Sequence, residues 1–375
     1  MDLKDFLQLK TRVISLMLEI RKKTQAVQVQ TTIAKGSEEH EGCLNGFPVK
    51  RLIIYLRSSG CEWVMGRKKE GKIFYKPGCL DCEHSILGTT FGEPISANDY
   101  LVQFKKEFDR FDFKEHPILC VYNEGSFLNN RELPDEARRN ILSLIGKNQD
   151  IKVVVLESLP QYITKEIIDE IVSLLPNKKI EIGIGLESSN EQIRGLCINK
   201  PYSLEQFEGA VKILKDKCSV LAYVLLKPSF LSEGEAINDA VETCKYAFSH
   251  GVDIVSLEPV SIGTNTMASF LAKENLYSVP KLWSAIEVVK KVNDLGEVRI
   301  GGFQFSPSYL HKSSNCSNCT ATVLDAIALY NQTRNIEVLS DLHCQCKRDW
   351  EVEIKNDNNF IDSLDYKLSV LESKL

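Results

Sequence analysis

An alternation of short apolar strands with helical segments constrains the fold of this 375-residue chain more than any other feature. The strands are rich in Val and Ile and lack a polar face, which is typical of strands covered on both sides. We predict strands at 51–57, 118–122, 152–157, 180–186, 220–227 and 253–258. Helical patterns lie between them, at 97–110, 134–146, 164–175, 203–216 and 233–250. Six successive units predict an α/β fold, a partial (β/α)6 barrel with its functional groups at the carboxyl ends of the strands.

The segments outside these units predict additions at both ends of the barrel. Residues 1–35 carry a helical period, and a polar stretch follows them. We therefore predict an N-terminal helical extension over 1–45 and the partial barrel over 46–302, with a last short strand at 298–301. A small cysteine-rich appendage is predicted over 303–375.

The bulk properties exclude some classes of protein. No apolar run is long enough to cross a bilayer as a helix, so no membrane span is expected. The N-terminal segment lacks the layout of a signal peptide, and we expect a cytoplasmic protein. The formal net charge of −5 argues against a broad nucleic-acid-binding face, although it leaves room for a local basic patch.

Three of the 12 cysteines follow the first predicted strand: Cys61, Cys79 and Cys82. The last two form a C-x2-C turn that can direct two thiolates at one metal centre. Three thiolates without an evident fourth suggest an iron–sulfur cluster with one open iron, because a structural zinc site has four protein ligands. Two alternatives stay open: a zinc ribbon completed by Cys43 or His84, and three uncoordinated cysteines.

Four more cysteines form two close pairs near the C-terminus, Cys316 with Cys319 and Cys344 with Cys346, and a helical pattern lies between the pairs. Four thiolates brought together this way would make a closed, tetrahedral and therefore structural zinc site. His343 is an alternative ligand, and a second iron–sulfur cluster or no metal at all are the competing interpretations.

Polar side chains follow several of the predicted strands. Glu187 ends the fourth strand, and Lys227 ends the fifth, where it is well placed to meet an anion. We take these two as candidate catalytic residues; the simpler alternative for Glu187 is a cap or a salt bridge. Glu157 and Glu258 end two other strands, and together with Glu187 they can meet an ammonium group.

Several segments of the chain resemble the radical S-adenosylmethionine (SAM) superfamily. They are Gly60-Cys61-Glu-Trp63, Cys79-x2-Cys82, Gly125-Ser-Phe-Leu128, Ile184-Gly-Leu-Glu-Ser188, Ile198-Asn-Lys200, Leu225-Leu-Lys-Pro-Ser-Phe-Leu231 and Leu282-Trp-Ser-Ala-Ile-Glu-Val288. Within the superfamily they are most similar to the branch that contains the radical SAM subunit of archaeosine synthase, related to the elongator catalytic subunit. The resemblance extends over residues 45–355.

This resemblance implies the cofactors and their ligands. Cys61, Cys79 and Cys82 would hold three irons of a [4Fe–4S] cluster, and SAM would chelate the fourth. The reduced cluster would cleave SAM to methionine and a 5′-deoxyadenosyl radical, which abstracts hydrogen from the substrate. Residues of the loop after the second strand would flank the methionine end of SAM, namely Asn123, Glu124, Gly125 and Ser126. Glu187 and Arg194 are the implied contacts to its ribose or carboxylate.

The resemblance also implies a substrate and partners. The similar subunit acts on a lysine adduct of a 7-deazaguanine base in tRNA and cleaves a C–N bond, so it needs a partner that attaches the lysine. A reductant such as ferredoxin or flavodoxin would supply electrons. A different substrate, either a small metabolite or a peptide, is the first alternative function, and a non-catalytic zinc-binding adaptor is the second.

The chain departs from the branch in the spacing of its first two cysteines. The segment between Cys61 and Cys79 is longer than the short loop usual there. Its residues 67–76 carry five cations against the single acid Glu70: Arg67, Lys68, Lys69, Lys72 and Lys76. This insertion can meet tRNA phosphates beside the active site, or it can be a solvated hairpin.

Overall fold

A computed structural model of the chain describes residues 1–24, 28–65, 68–69, 72–73, 75–83, 88–301, 310–355 and 360–374. Its strands are β1 (Gly36–Leu44), β2 (Phe47–Tyr55), β3 (Lys68–Lys69), β4 (Lys72–Ile73), β5 (Ile118–Tyr122), β6 (Val153–Glu157), β7 (Lys179–Glu187), β8 (Ser219–Leu226), β9 (Ile254–Pro259) and β10 (Glu297–Ile300). Eight of them form one sheet in the order β1-β2-β5-β6-β7-β8-β9-β10. All neighbours in this sheet are parallel except β1 and β2, and β3 pairs only with β4.

Helices connect the strands and cover one face of the sheet. They are α1 (Leu3–Lys22), α2 (Ala97–Phe108), α3 (Asp135–Lys147), α4 (Lys165–Leu174), α5 (Glu191–Ile193), α6 (Leu204–Leu214), α7 (Glu233–Ser249), α8 (Met267–Lys273), α9 (Leu282–Val292), α10 (Thr320–Thr333), α11 (Gln345–Glu353) and α12 (Phe360–Glu372). Ser203 and Ser232 begin α6 and α7 with complete capping boxes, each accepting a hydrogen bond from the third helical residue. Among the described residues, no helix is long and apolar enough to cross a membrane.

The predicted α/β partial barrel is confirmed, because the sheet curls into a half-barrel of parallel strands. The six predicted strands correspond to β2 and β5–β9, and the predicted last strand corresponds to β10. Two details differ. The N-terminal helical period ends at Lys22, and the polar stretch that follows forms the antiparallel edge strand β1. The boundaries predicted at 1–45, 46–302 and 303–375 remain a prediction.

The two faces of the half-barrel have different environments. The convex face packs its apolar side chains against the helices and forms the main core. The concave face has its own apolar layer, which includes Ile53, Cys120, Val155 and Leu221. Tyr55, Tyr122 and Tyr223 lie nearer the carboxyl ends of their strands, so the concave face becomes polar towards that end.

Helix α10 covers the outer edge of the sheet at β10. The Tyr330 hydroxyl donates to the Val298 carbonyl oxygen at 3.0 Å, and the Asn331 side chain bonds both backbone groups of Ile300, at 2.7 and 3.0 Å. The backbone groups of a free edge strand would otherwise offer a template for another strand. The predicted C-terminal appendage therefore packs directly on the sheet.

Candidate functional site

The loop after β2 carries three cysteines to the carboxyl-terminal edge of the half-barrel. The Asn199 side-chain amide donates to the Gly78 carbonyl oxygen at 2.8 Å, and the Leu80 amide donates to the Ile198 carbonyl oxygen at 3.0 Å. Gly78 adopts a φ of +62°, and a Cβ there would lie 2.6 Å from Val64, so this position requires glycine. The loop, including Cys79, is thus held by the turn that precedes α6.

Asp81, between the two cysteines of the C-x2-C turn, anchors the same loop to two further elements. Its carboxylate accepts hydrogen bonds from the Ser229 amide at 3.0 Å, the Ser229 hydroxyl at 2.7 Å and the Ala268 amide at 3.0 Å. Ser229 follows β8, and Ala268 lies in the first turn of α8. Asp81 therefore fixes the position of the C-x2-C turn in addition to separating its two cysteines.

The three loop cysteines differ in arrangement from the C-terminal four. In the part of the chain that the structure describes, only the C-terminal set has its ligand atoms within 4.8 Å of one another. Burial raises the pKa of the Cys79 thiol to about 12 and that of Cys61 well above its ordinary value. The ligand atoms of the three loop cysteines therefore do not converge on one point in the described structure. This spread suits a multi-iron cluster better than a single ion, whose ligands must converge.

The alternative fourth ligands are not brought to this loop. Cys43 pairs with Pro48 next to the β1–β2 turn, at the opposite end of the sheet, and His84 lies outside the described residues. The basic insertion also falls largely outside them. Of its five cations, only Lys76 has a described side chain, which donates to the Glu62 carbonyl oxygen at 2.7 Å. A role of the insertion in binding tRNA therefore remains a prediction.

The loop after β5 lies directly against the cysteine loop. A Cβ added at Gly125 would lie 3.4 Å from Cys61 Cα and would collide with a carboxylate oxygen of Glu132. The Ser126 amide donates to the same Glu132 side chain at 2.5 Å, and Ser126 Oγ accepts from the Leu159 amide at 3.1 Å. The close approach of the Glu132 carboxylate and the Cys61 backbone explains the need for glycine here.

Asn123 and Glu124, the first residues of this loop, have contrasting surroundings. Asn123 is 0% exposed, and neither atom of its side-chain amide has a hydrogen-bond partner among the described residues. A buried amide without a partner is rare, so it points to a bound polar group. Glu124 adopts a φ of +56° and forms an ion pair with Lys35. Burial lowers the pKa of Lys35 to about 7, and Arg57 contributes, while Cys82 and Glu83 oppose the shift.

The end of β7 presents Glu187 towards Lys200. The Lys200 ammonium lies 3.1 Å from Glu187 Oε1. Burial opposes the charge on Lys200, but Glu187, Tyr202 and Cys79 together raise its pKa above its ordinary value. Glu187 has a φ of +67°, a conformation that few residues other than glycine adopt. Such strain at a strand end is common in functional sites.

Arg194 supports this strained turn from behind. Its guanidinium group donates to the carbonyl oxygens of Leu186 at 2.7 Å, Ser188 at 3.1 Å and Tyr202 at 2.7 Å. Leu186 and Ser188 flank Glu187 in sequence, so the buried Arg194 side chain fixes the direction of Glu187. Direct contact of Arg194 with a cofactor remains a prediction.

Two further carboxylates project from the concave face towards Glu187. Burial raises the pKa of Glu157 to about 7; the Tyr223 hydroxyl opposes the shift, and the charges of Glu258 and Glu187 add to it. Burial likewise raises the pKa of Glu258 to about 7, against a 2.6 Å hydrogen bond from Ser256. A side chain at position 301 would collide with Glu258, so Gly301 leaves room for its carboxylate. These three half-buried carboxylates, which we call the acidic triad (Glu157, Glu187 and Glu258), can hold a cation.

Lys227 occupies a different environment from the one expected of an anion-binding residue. Its ammonium group lies 2.7 Å from Glu233 Oε2, and the two side chains are only 5% and 1% exposed. Tyr277 donates its hydroxyl to the Lys227 carbonyl oxygen at 2.6 Å and places its ring 5.5 Å from the ammonium. The contacts link β8 to the first turn of α7, and the catalytic role of Lys227 remains a prediction.

The four C-terminal cysteines form a compact group. Cys316 Sγ lies 3.7 Å from Cys319 and 3.5 Å from Cys344, and Cys319 Sγ lies 3.5 Å from Cys346. The Trp283 indole N–H donates to Cys346 Sγ at 3.4 Å. Burial opposes ionisation of Cys346, but this indole and the neighbouring cysteines lower its pKa to about 6. His343 is not part of this group.

A cavity of about 540 Å³ lies at the amino-terminal ends of the strands, away from all these groups. Its charged residues already pair with one another: Arg299 binds Glu181 at 2.8 and 3.2 Å, and Arg334 lies 3.2 Å from Glu297. In parallel α/β folds the reacting groups collect at the carboxyl ends of the strands. We therefore assign the candidate site to the cysteine loop and the acidic triad.

Sequence reasoning missed several residues that shape the site. Arg21 and Lys35 contact the two loops from elements distant in sequence, so no local pattern marks them. Glu132 follows the loop after β5 and joins it to the cysteine loop, since it accepts from the Glu62 amide at 2.8 Å. Asp81 carries a signal that could have found it, because an acid between two cysteines of a C-x2-C turn is an unusual choice beside thiolates. Lys200 stands in one of the resembling segments, but nothing in the sequence pairs it with Glu187.

Comparison with known proteins gives relatives that match most of the chain. No family model matches it. The uncharacterized protein MJ0550 of Methanocaldococcus jannaschii is 32% identical over 322 residues, 82% of this chain and 84% of that protein. Archaeosine synthase subunit beta of Methanosarcina acetivorans is 28% identical over 337 residues, 89% of this chain and 94% of that protein.

Among solved structures, the archaeal Elp3 of Methanocaldococcus infernus with an N-terminal deletion aligns with a TM-score of 0.46 at 16% identity, over 65% of this chain and 60% of that one. The matches to the sequence relatives extend over more than four fifths of the chain. The chain therefore belongs to the radical SAM superfamily, in the group that includes archaeosine synthase subunit beta.

Proposed function

We propose that this chain is a radical SAM enzyme of tRNA modification that cleaves a C–N bond in a lysine adduct of a 7-deazaguanine base. The similarity to archaeosine synthase subunit beta supports the tRNA substrate. That relative is one subunit of a synthase, which supports a partner, and we propose that the partner transfers the lysine first. A one-electron donor such as ferredoxin or flavodoxin would supply electrons, and the cytoplasm is the expected location.

The residues around the cysteine loop fit the proposed cofactors. Cys61, Cys79 and Cys82 would hold a [4Fe–4S] cluster, whose spread ligands match their separated positions. The buried, unpartnered amide of Asn123 fits the polar methionine end of SAM. When bound, the cluster and SAM supply the radical chemistry, and the protein's part is to orient the groups and exclude water.

The observation that carries the substrate assignment is the acidic triad. A lysine adduct brings an ammonium group into a half-barrel whose concave face has an apolar and aromatic layer. At the carboxyl end of the strands, Glu157 and Glu258 offer carboxylates to that cation beside Glu187, which pairs with Lys200. An ammonium ion bound beside Glu157 and Glu258 would favour their ionised form, because an opposite charge lowers the pKa of a carboxyl.

The C-terminal cysteines support a second, structural metal. A tetrahedral zinc site with Zn–S distances of about 2.3 Å places its sulfur atoms about 3.8 Å apart. The sulfur separations of 3.5 and 3.7 Å are close to this value. We propose that Cys316, Cys319, Cys344 and Cys346 bind Zn2+, with no open position for chemistry.

Anaerobically reconstituted protein tests the proposal under reductant, with 5′-deoxyadenosine measured as the product of SAM cleavage. We expect tRNA that bears the lysine adduct to stimulate product formation, and tRNA with the unmodified 7-deazaguanine to have little effect. Cys79→Ala should abolish cleavage. Glu258→Gln should weaken the response to adduct tRNA at least tenfold, since about 1.4 kcal/mol of binding energy corresponds to that factor.

Other results would decide against parts of the proposal. SAM cleavage that is indifferent to the adduct tRNA would refute the tRNA substrate and favour a small metabolite or a peptide. A colourless protein with zinc in both cysteine sets and no iron would refute the radical enzyme altogether and favour a zinc-binding adaptor.

A further inference from the structure

Arg21, near the end of α1, inserts its side chain behind the cysteine loop. Its guanidinium group donates to the carbonyl oxygens of Cys79 at 2.7 Å and Cys82 at 2.8 Å. It also donates to the carbonyl oxygens of Pro77 at 3.2 Å and Asn265 at 3.1 Å. One planar side chain therefore binds both ends of the C-x2-C turn and joins them to the segment before α8.

The charge of Arg21 has few neighbours to neutralise it. The residue is 1% exposed, and among the described residues it forms no ion pair. A buried cation is costly without a compensating negative charge, which a cluster bound by the cysteine loop would supply.

Helix α1 carries a second arginine, near its middle, which has a different partner. Arg12, two to three turns earlier, binds Glu372 with two hydrogen bonds of 2.7 and 2.8 Å and also contacts Asp365 and Ser369 of α12. The same helix thus carries one arginine that serves the contact with α12 and one buried arginine that serves the cysteine loop.

We propose that Arg21 is a positioning residue for the iron–sulfur cluster, which holds Cys79 and Cys82 in place and favours the reduced cluster through its buried charge. The inference rests on the proposed function, since it needs a cluster on this loop. Reduction by a one-electron donor adds one negative charge to the cluster, and a fixed cation nearby stabilises that charge. Proteins use groups just outside the metal ligands in this way to tune the potential of a bound metal.

The test compares three variants of the full chain: Arg21→Gln, Arg21→Lys and the control Arg12→Gln. The measurements are iron content after reconstitution, the midpoint potential from a dithionite titration followed by electron paramagnetic resonance, and hydrogen exchange of residues 77–83 without iron. Arg21→Gln should retain less than half of the iron. Its remaining cluster should have a potential more negative by about 59 mV or more, which is a tenfold change for a one-electron couple.

The other two variants separate charge from geometry. Arg21→Lys should recover the potential but not the iron content, because it keeps the charge and loses the four-way contact, and exchange of residues 77–83 should rise. Arg12→Gln should match the wild type in all three measurements. If Arg21→Gln does not fold, the exchange and potential of Arg21→Lys decide the question.

A wild-type potential and iron content in Arg21→Gln would overturn the inference. A wild-type potential with reduced iron content would overturn its electrostatic part. Failure of the wild-type protein to assemble any iron–sulfur cluster is a different result, since that outcome refutes the proposed function before Arg21 is tested.

Discussion

Replacing Lys227 by Met should destabilise the folded protein by about 3–5 kcal/mol, the usual cost of removing one partner from a buried ion pair. Its ammonium group lies 2.7 Å from Glu233 Oε2, and both side chains are almost fully buried. Glu233 Oε1 accepts from the Lys281 amide at 2.6 Å and from the Ser284 hydroxyl at 2.5 Å. After the change Oε2 loses its cation, and the carboxylate stays buried with two neutral donors. Urea unfolding of the iron-free protein, followed by circular dichroism, measures the loss.

Two matched variants sharpen this measurement. Lys245→Met removes an exposed cation that lies 2.8 Å from Glu242, with side chains 51% and 67% exposed, so its cost should stay below about 0.5 kcal/mol. Adding Glu233→Gln to Lys227→Met should recover part of the lost stability, because the uncompensated charge is removed. If Lys227→Met costs no more than Lys245→Met, the ion pair does not stabilise the fold. Lost SAM cleavage in such a stable variant would instead favour the predicted catalytic role of Lys227.

Three further changes test other parts of the site. Gly125→Ala should abolish cluster assembly, because the added Cβ would collide with a buried carboxylate oxygen of Glu132. The control Gly209→Ala places its Cβ in open space on α6, so it should stabilise the chain by about 0.5–1 kcal/mol in urea unfolding. In the folded protein the pKa values of Glu157 and Glu258 are about 7, above the ordinary value of 4.5. Between pH 4.5 and 7 the folded state therefore binds more protons than the unfolded state, and the free energy of unfolding should fall as the pH rises through this range. Urea unfolding at several pH values should show this slope, and a double change to Gln should flatten it. Cys316→Ser should lose bound zinc and lower the melting temperature while iron content, measured by metal analysis, is unchanged.

The parallel strands were predictable because their apolar character on both faces is a local property of the sequence. Residues 118–122 are buried throughout and form β5 as predicted. The edge strand β1 was not predictable in the same way, because residues 37–41 are polar or charged and one side of the strand has no neighbour in the described sheet. Its pairing depends on the turn at Asn45 and Gly46, both with positive φ, and on β2 beside it.

The candidate site was predictable to the extent that its chemistry lies in short motifs. The cysteine loop and the glutamates at the strand ends follow from residue type and position along the chain. The partners of charged side chains do not, because a contact between distant segments leaves no local pattern. Lys227 looks available for an anion in the sequence, and only the fold brings Glu233 to its ammonium group.

The two cysteine sets depend on the rest of the chain in different ways. Four distant elements hold the cysteine loop through Arg21, Asn199, Ser229 and Ala268, so its shape requires the whole half-barrel to be folded before a cluster arrives. The C-terminal set lies at the starts of α10 and α11, with the Trp283 indole as its contact from the barrel. Metal binding contributes folding energy chiefly where no preformed site exists. We therefore expect a metal ion bound by the C-terminal set to stabilise its own segment, whereas the protein itself organises the loop that would hold the proposed cluster.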